Sequence, residues 1–121
     1  MSSIYCDYIN CITDIENLLN KDEFNYIQYS FIFGSLSRKL IHENSDIDLL
    51  LIGNKPKTIN LINKLSSSID NCLRVYKDVD IKYYMIDDFR KLRNSNLFLK
   101  EIEKDCKELS YLKHELLRFC T

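Results

Sequence analysis

Acidic side chains stand at the start of a strongly apolar segment of the chain. Asp46 and Asp48 lead into residues 49–52, which read Leu-Leu-Leu-Ile and predict a buried strand. A buried carboxylate without a partner costs a great deal of free energy. Because side chains alternate along a strand, Asp46 and Asp48 point to the same side and repel each other. A divalent cation between them removes this repulsion, and carboxylate oxygens suit Mg²⁺ or Mn²⁺.

A further carboxylate lies in the next predicted strand, residues 79–85. If this strand lies beside the first, Asp80 completes a three-carboxylate cluster that is able to hold two metal ions. Asp78 lies two residues earlier and shares the face of Asp80, so it is the alternative third ligand. Asp80 is preferred because apolar residues flank it, whereas Asp78 follows Lys77 at the beginning of the strand. Lys82, on the same face, is interpreted as a solvated lysine.

A glycine–serine pair precedes these acids. Gly34 and Ser35 follow residues 26–33, an aromatic and β-branched stretch that predicts a strand. Glycine at the end of a strand lets the backbone approach an anion, and the start of a helix presents free N–H groups to it. Arg38 and Lys39 lie one helical turn further on and add positive charge. A phosphate site next to a metal cluster predicts a nucleoside triphosphate as the ligand.

The spacing of apolar residues in the rest of the sequence predicts the helices and strands that position the acids and the glycine–serine pair. Apolar residues at helical spacing predict helices between and around the strands. The expected fold is therefore α/β (α+β), with one small sheet flanked by helices. The predicted strands are residues 26–33, 46–52 and 79–85, and the predicted helices are residues 4–20, 36–41, 59–73 and most of the chain after residue 85.

The composition is that of an ordinary small globular domain. The chain has 121 residues, of which 45% are hydrophobic and 29% charged, and its net charge is −1. We therefore expect a single domain over residues 1–121, no direct binding of nucleic acid and no membrane span. Five cysteines without a C-x-x-C pair predict reduced, buried thiols and a cytoplasmic location. His42 and His114 have no partner at ligand spacing and are interpreted as surface residues.

The order of these features resembles the signature of the DNA polymerase β nucleotidyltransferase superfamily, which is Gly-Ser, ten residues, then Asp-x-Asp. The segment GSLSRKLIHENSDIDLL is similar to the minimal nucleotidyltransferases, whose loop reads Gly-Ser-x-Ala-Arg-Gly and ends in Ser-Asp-x-Asp. Two positions depart from that loop: Ser37 replaces the usual alanine and Lys39 replaces the usual glycine. The matching positions are Gly34, Ser35, Arg38, Ser45, Asp46 and Asp48, with Asp80 as the third acid.

This resemblance implies a mixed sheet flanked by helices, Mg²⁺ dependence and transfer of AMP from ATP. Larger relatives carry an added helical domain that holds the acceptor, and we expect a partner protein to present the acceptor here. Minimal nucleotidyltransferases are commonly paired with small helical HEPN proteins as toxin–antitoxin systems. In these pairs the nucleotidyltransferase is the antitoxin and adenylylates a tyrosine of the HEPN ribonuclease. The resemblance makes this the leading biological role.

Two other functions stay open at this point. A small-molecule adenylyltransferase of the kind that inactivates aminoglycosides would need a homodimer to build its acceptor pocket. A binding module that has lost catalysis would block its partner sterically. The intact acids Asp46, Asp48 and Asp80 argue against the binding module, because unused buried carboxylates destabilise a fold.

Overall fold

A computed structural model describes residues 3–120 of the chain. Met1, Ser2 and Thr121, which the single-domain prediction includes, lie outside the described residues. Helices and strands alternate through the first two thirds of the chain, and helices dominate the rest. In chain order the elements are α1 (Ser3–Leu19), a 3-10 turn (Asp22–Phe24), β1 (Ile27–Phe33), α2 (Gly34–Ser37), β2 (Ile47–Gly53), α3 (Ile59–Cys72), β3 (Val79–Met85), α4 (Ile86–Leu92), α5 (Leu97–Asp105), β4 (Lys107–Glu108) and α6 (Leu109–Leu117).

The four strands form one mixed sheet in the order β3-β2-β1-β4. β1 and β2 are antiparallel neighbours, whereas β2 and β3 run parallel. The structure thus confirms the predicted small mixed sheet flanked by helices, and it places the third predicted strand beside the second. β4 was not predicted, because a pairing of two residues leaves no periodic signal in the sequence. It pairs with Phe31 and Ile32 of β1.

The two faces of β2 belong to different apolar clusters. Ile47, Leu49 and Leu51 are buried in the larger cluster, which α1, α3 and α6 cover. Leu50 and Ile52 point the other way into a smaller cluster. Full burial of each such side chain contributes about 1.5–3 kcal/mol, so both faces hold the strand firmly. The smaller cluster is completed by Phe33 of β1, Phe89 of α4, and Leu99 and Ile102 of α5.

The predicted helices are confirmed with changes at their ends. α2 is one turn of four residues instead of the predicted residues 36–41. It ends because Lys39 adopts φ 60, a left-handed conformation in which its N–H donates to the carbonyl oxygen of Leu36 over 3.0 Å. Lys39 therefore adopts the backbone conformation that glycine occupies most easily. None of the helices in residues 3–120 is long and apolar enough to cross a membrane.

The cysteines are not all reduced thiols, so that prediction was wrong for two of them. Cys6 of α1 and Cys120 form a disulfide with a Cα–Cα distance of 5.4 Å and a sequence separation of 114. Packing of α1 against α6 brings these distant positions together, which spacing in the sequence does not reveal. Cys11, Cys72 and Cys106 are free thiols. Burial raises the pKa of the Cys11 thiol to about 11, so this residue behaves as a small apolar side chain.

Candidate active site

The register of β2 and β3 brings the predicted acids together. Asp48 is the direct partner of Asp80 in the parallel pair, so both side chains leave the sheet on the same face. Asp46 precedes the first residue of β2 and Asp78 precedes the first residue of β3, where the Asp78 carbonyl accepts a hydrogen bond from the N–H of Ile47 over 2.8 Å. The site therefore lies where both parallel strands begin.

The carboxylates interact with one another electrostatically. Burial raises the pKa of Asp48, and the negative charges of Asp80 and Asp46 raise it further. Lys82 and Arg38 act in the opposite direction on the same carboxyl group. The Lys82 ammonium lies 3.4 Å from the Asp80 carboxylate, so the lysine that was interpreted as solvated is an ion-pair partner of the third acid. Lys82 and Arg38 therefore offset part of the negative charge of Asp46, Asp48 and Asp80.

Asp78 has a different environment from Asp80. The Tyr76 hydroxyl donates a hydrogen bond to the Asp78 carboxylate, and this contact raises the pKa of Tyr76. A cation that used Asp78 would have to share the carboxylate with this phenol. Asp80 instead faces Asp48 across the strand pair. These contacts favour Asp80 as the third ligand.

Gly34 lies directly against Asp48. Its φ is 75, in the left-handed region where residues with a Cβ are strained. A Cβ at this position would collide with the Asp48 carboxylate. Phe33, the preceding residue, is the β1 partner of Asp48, so strand pairing fixes the turn next to the acid. The glycine is required both by the backbone conformation and by the closeness of the carboxylate.

Ser37 and Arg38 follow in the same turn. Ser37 is fully buried, and its hydroxyl donates to the carbonyl oxygen of Gly34 over 2.7 Å. The serine that replaces the usual alanine therefore satisfies its own hydroxyl within the turn. Arg38 extends from the end of α2, and its Nη1 lies 2.7 Å from an Asp105 carboxylate oxygen of α5. Arg38 is thus close enough to influence Asp48 while it is paired with α5.

Lys39 points toward a different neighbour. Its ammonium lies 3.4 Å from Glu115 of α6, and Lys107 lies 2.7 Å from the same carboxylate. The hydrogen bond from Lys107 lowers the pKa of Glu115. Of the two predicted basic residues, the structure associates Arg38 with the acid cluster and Lys39 with α6.

Hydrogen bonds that the sequence pattern does not predict hold the loop that carries Asp46. Tyr8 of α1 is fully buried, and its hydroxyl donates to the carbonyl oxygens of Ser45 and, over 3.3 Å, His42. The Ser45 hydroxyl oxygen accepts a hydrogen bond of 2.9 Å from the His42 N–H. Lys77 donates to the carbonyl oxygen of Glu43 and lies over the Tyr8 ring. The helical spacing of apolar residues predicts that Tyr8 lies in the core, but it does not predict the hydrogen bonds from its hydroxyl to the loop.

The residues present fit a divalent cation. Within residues 3–120, no three acidic, cysteine or histidine side chains are already gathered into a metal-binding group. The donor set is nevertheless suitable: Asp48 and Asp80 share one face, Asp46 adds to their repulsion, and all the donors are carboxylate oxygens.

Comparison with known proteins identifies a family and a fold. Residues 13–110 match the family model for Polymerase beta, Nucleotidyltransferase. One similar fold is a chain in a crystal structure of a toxin–antitoxin with AMP-PNP, with a TM-score of 0.59 and 22% identity over 89% of this chain and 85% of that chain. Another is a protein from Sulfolobus solfataricus described as a nucleotidyltransferase, with a TM-score of 0.54 and 17% identity over 89% of this chain and 86% of that one. No curated protein matches the chain in sequence.

The family match identifies a nucleotidyltransferase domain. The family match spans most of the chain, so the chain belongs to the polymerase β nucleotidyltransferase family. This match confirms the resemblance to the polymerase β nucleotidyltransferases that the segment from Gly34 to Asp48 indicates.

Proposed function

We propose that this protein is an Mg²⁺-dependent nucleotidyltransferase that transfers AMP from ATP to a hydroxyl group of a partner protein. The observation that carries the proposal is the pairing of Asp48 with Asp80 on adjacent strands, next to the left-handed turn at Gly34. Members of this family transfer nucleotides, and metal ions and phosphates are the ligands that such a site accommodates.

The residues of the chain have distinct roles in this proposal. Asp46, Asp48 and Asp80 would hold two Mg²⁺ ions, which when bound stabilise charge on the triphosphate and make the acceptor hydroxyl more acidic. The backbone at Gly34 and the hydroxyl of Ser35 bind phosphate oxygens, and Arg38 neutralises their charge. Lys39, also predicted to bind the nucleotide, must leave Glu115 in order to do so.

The reaction is a displacement at the α-phosphorus of ATP. The acceptor oxygen forms a bond to that phosphorus while the bond to the bridging oxygen of pyrophosphate breaks, and pyrophosphate leaves. The proton of the acceptor hydroxyl passes to Asp80, which is exposed, whereas its strand partner Asp48 is half-buried. Placing donor and acceptor together supplies much of the rate enhancement.

The proposed acceptor is a tyrosine of a small helical HEPN-type toxin, which makes this chain an antitoxin. The support is twofold: the motif resembles the minimal nucleotidyltransferases that accompany such toxins, and one chain of similar fold belongs to a toxin–antitoxin structure that contains AMP-PNP. The proposal places the protein in the cytoplasm, where ATP and Mg²⁺ are available.

Labelling of the partner tests this function. The wild-type chain, incubated with its partner protein, Mg²⁺ and α-labelled ATP, should transfer label and increase the partner's mass by one or more AMP units. Asp46→Asn should fold and bind the partner but transfer label at least a hundredfold more slowly, because each ~1.4 kcal/mol of lost transition-state stabilisation is tenfold in rate. Asp70→Asn, a change of an exposed acid on α3, is the control.

Two outcomes would contradict the proposal. If Asp46→Asn neutralises the partner as fully as the wild type does, the chain acts as a steric binding module. If label moves to an aminoglycoside and not to the partner, the chain is a small-molecule adenylyltransferase.

A further inference from the structure

The ion pair between Arg38 and Asp105 joins the Gly-Ser turn to α5. The Arg38 Nη1 lies 2.7 Å from the Asp105 Oδ2, and the two side chains are 46% and 35% exposed. Exposed ion pairs of this kind contribute little to folding stability, because water screens them and both side chains lose conformational freedom. Because this ion pair lies beside the acid cluster, it can instead affect the orientation of Arg38.

The geometry leaves part of the guanidinium available. Arginine has five N–H donors in a planar fork, and Asp105 receives its hydrogen bond from Nη1. The donors on Nε and Nη2 are not used by this contact, and a phosphate group accepts two such donors side by side. Asp105 therefore fixes the orientation of Arg38 without occupying the whole fork.

Asp105 itself stands on a firmly packed element. Leu99 and Ile102 bury the inner side of α5 in the smaller apolar cluster. At the other end of the helix the ring of Phe98 packs edge-on against Phe33, with centroids 6.2 Å apart. Phe33 immediately precedes Gly34, so α5 is attached to the same strand end that carries the Gly-Ser turn.

Arg38, by contrast, follows a helix of only four residues. A long side chain at the end of a single turn samples many rotamers unless a partner restricts it. The Asp105 carboxylate supplies that restriction. The Arg38 N–H also donates to the carbonyl oxygen of Gly34 over 3.3 Å, so Arg38 stays in the turn that lies against Asp48.

We propose that Asp105 is a positioning residue: from α5 it holds the Arg38 guanidinium in the orientation that binds the triphosphate, without touching the nucleotide itself. This inference rests on the proposed function, because it requires that the site binds a triphosphate. It assigns a role in nucleotide affinity to α5, outside the Gly-Ser and Asp-x-Asp motif.

Nucleotide binding by the full-length chain tests the proposal without any partner. Asp105→Asn should weaken binding of Mg²⁺–ATP by about fivefold to tenfold, in the range of coupling between contacting residues, as measured by isothermal titration calorimetry. Binding of adenosine should not change, because the loss acts through phosphate. Asp105→Glu, which keeps the charge, should restore part of the affinity.

A matched control lies on the same helix. Glu103 pairs with Arg93 over 3.0 Å and is about as exposed as Asp105. Glu103→Gln removes an equivalent surface ion pair from α5 and should leave affinity for Mg²⁺–ATP unchanged. Asp105→Asn and Glu103→Gln should change the melting temperature by the same small amount. A loss of affinity in Asp105→Asn alone then reflects the orientation of Arg38 and not a destabilised α5.

The double variant shows whether Asp105 acts through Arg38. Arg38→Gln alone should weaken Mg²⁺–ATP binding, and adding Asp105→Asn to it should cause no further loss. Independent, additive losses would overturn the proposal. So would unchanged affinity in Asp105→Asn, or tighter binding, which would mean that Asp105 competes with phosphate for Arg38. If the wild-type chain does not bind Mg²⁺–ATP at all, the proposed function fails first, and the inference fails with it.

Discussion

At the scale of single residues, folding places Asp48 where its negative charge is unfavourable unless the proposed cation is bound. The fold half-buries this carboxylate and sets it beside Asp80 and Asp46, and all three influences raise its pKa. An acid whose pKa is raised by folding is destabilising once it is ionised. The penalty is absent below its unfolded pKa of about 4 and is fully present above its folded pKa. A bound cation would offset the repulsion.

Replacing this acid should therefore stabilise the metal-free protein. In EDTA at pH 7 we expect Asp48→Asn to raise the melting temperature by on the order of 2–5 °C. At about pH 3 the difference should vanish, because Asp48 is protonated in both the folded and the unfolded wild type. Thermal unfolding followed by circular dichroism measures both. Asp88→Asn, an exposed acid of α4, is the control. A lower melting temperature for Asp48→Asn at pH 7 would show that the carboxylate stabilises the fold.

At the scale of elements, α1 supports the loop that carries Asp46. The Tyr8 hydroxyl binds the carbonyl oxygens of His42 and Ser45, and its ring is fully buried in the main core. The loop between Lys39 and Asp46 contains no helix or strand, so this contact restricts its position. α1 thereby influences the site although none of its residues belongs to the motif.

The chain offers a matched pair of tyrosines to test this support. Tyr8→Phe and Tyr83→Phe each remove a buried hydroxyl that donates to a loop carbonyl, in the second case that of Lys55 over 2.6 Å. Each should cost about 1 kcal/mol of unfolding free energy, measured by urea denaturation. Mg²⁺–ATP binding should weaken severalfold only in Tyr8→Phe, because the Lys55 turn lies at the opposite end of β2 from Asp48. Equal effects on binding would show that α1 has no special role.

Much of this architecture follows from local sequence patterns. The apolar run after Asp48 and the stretch around Asp80 predict strands because β-branched and leucine-rich segments need burial. The period of two then places Asp46 with Asp48, and Asp78 with Asp80. The register that pairs Asp48 with Asp80 could not be predicted, since it depends on how two separate strands slide against each other.

Contacts between elements that are distant in the sequence could not be predicted from local sequence patterns either. Asp105 reaches Arg38 only because α5 packs on the second face of the sheet, and nothing in the spacing of these residues indicates a pair. The short length of α2 depends on the left-handed conformation of Lys39, where the family pattern has glycine. The charge and size of lysine do not predict that Lys39 adopts this left-handed conformation.

At the scale of the whole molecule, the disulfide joins the two ends of the described chain. It connects α1 with the residues that follow α6, and next to it the rings of Tyr5 and Phe119 stack with centroids 4.9 Å apart. A cross-link between distant residues restricts the unfolded chain strongly. This feature contrasts with the reduced thiols on which the predicted cytoplasmic location was based.

Thiol counting tests this cross-link. The purified protein, denatured without reductant, should react with thiol reagent at three cysteines: Cys11, Cys72 and Cys106. Cys120→Ser should lower the unfolding free energy by about 2–4 kcal/mol, and reductant should bring the wild type to the same value. Five reactive thiols in untreated protein would mean that the pair stays reduced.

Thermal unfolding tests the proposed joint binding of metal and triphosphate by Asp48 and Asp80. The melting temperature of the wild type is recorded with ATP in Mg²⁺ and with ATP in EDTA, beside Asp80→Asn and Asp78→Asn. ATP should raise the wild-type melting temperature only when Mg²⁺ is present, because a ligand that binds the native state stabilises it. Asp78→Asn should keep this increase and Asp80→Asn should lose it. An equal increase in EDTA would contradict binding of the triphosphate through a metal ion. An increase that survives Asp80→Asn and disappears in Asp78→Asn would contradict Asp80 as the third ligand.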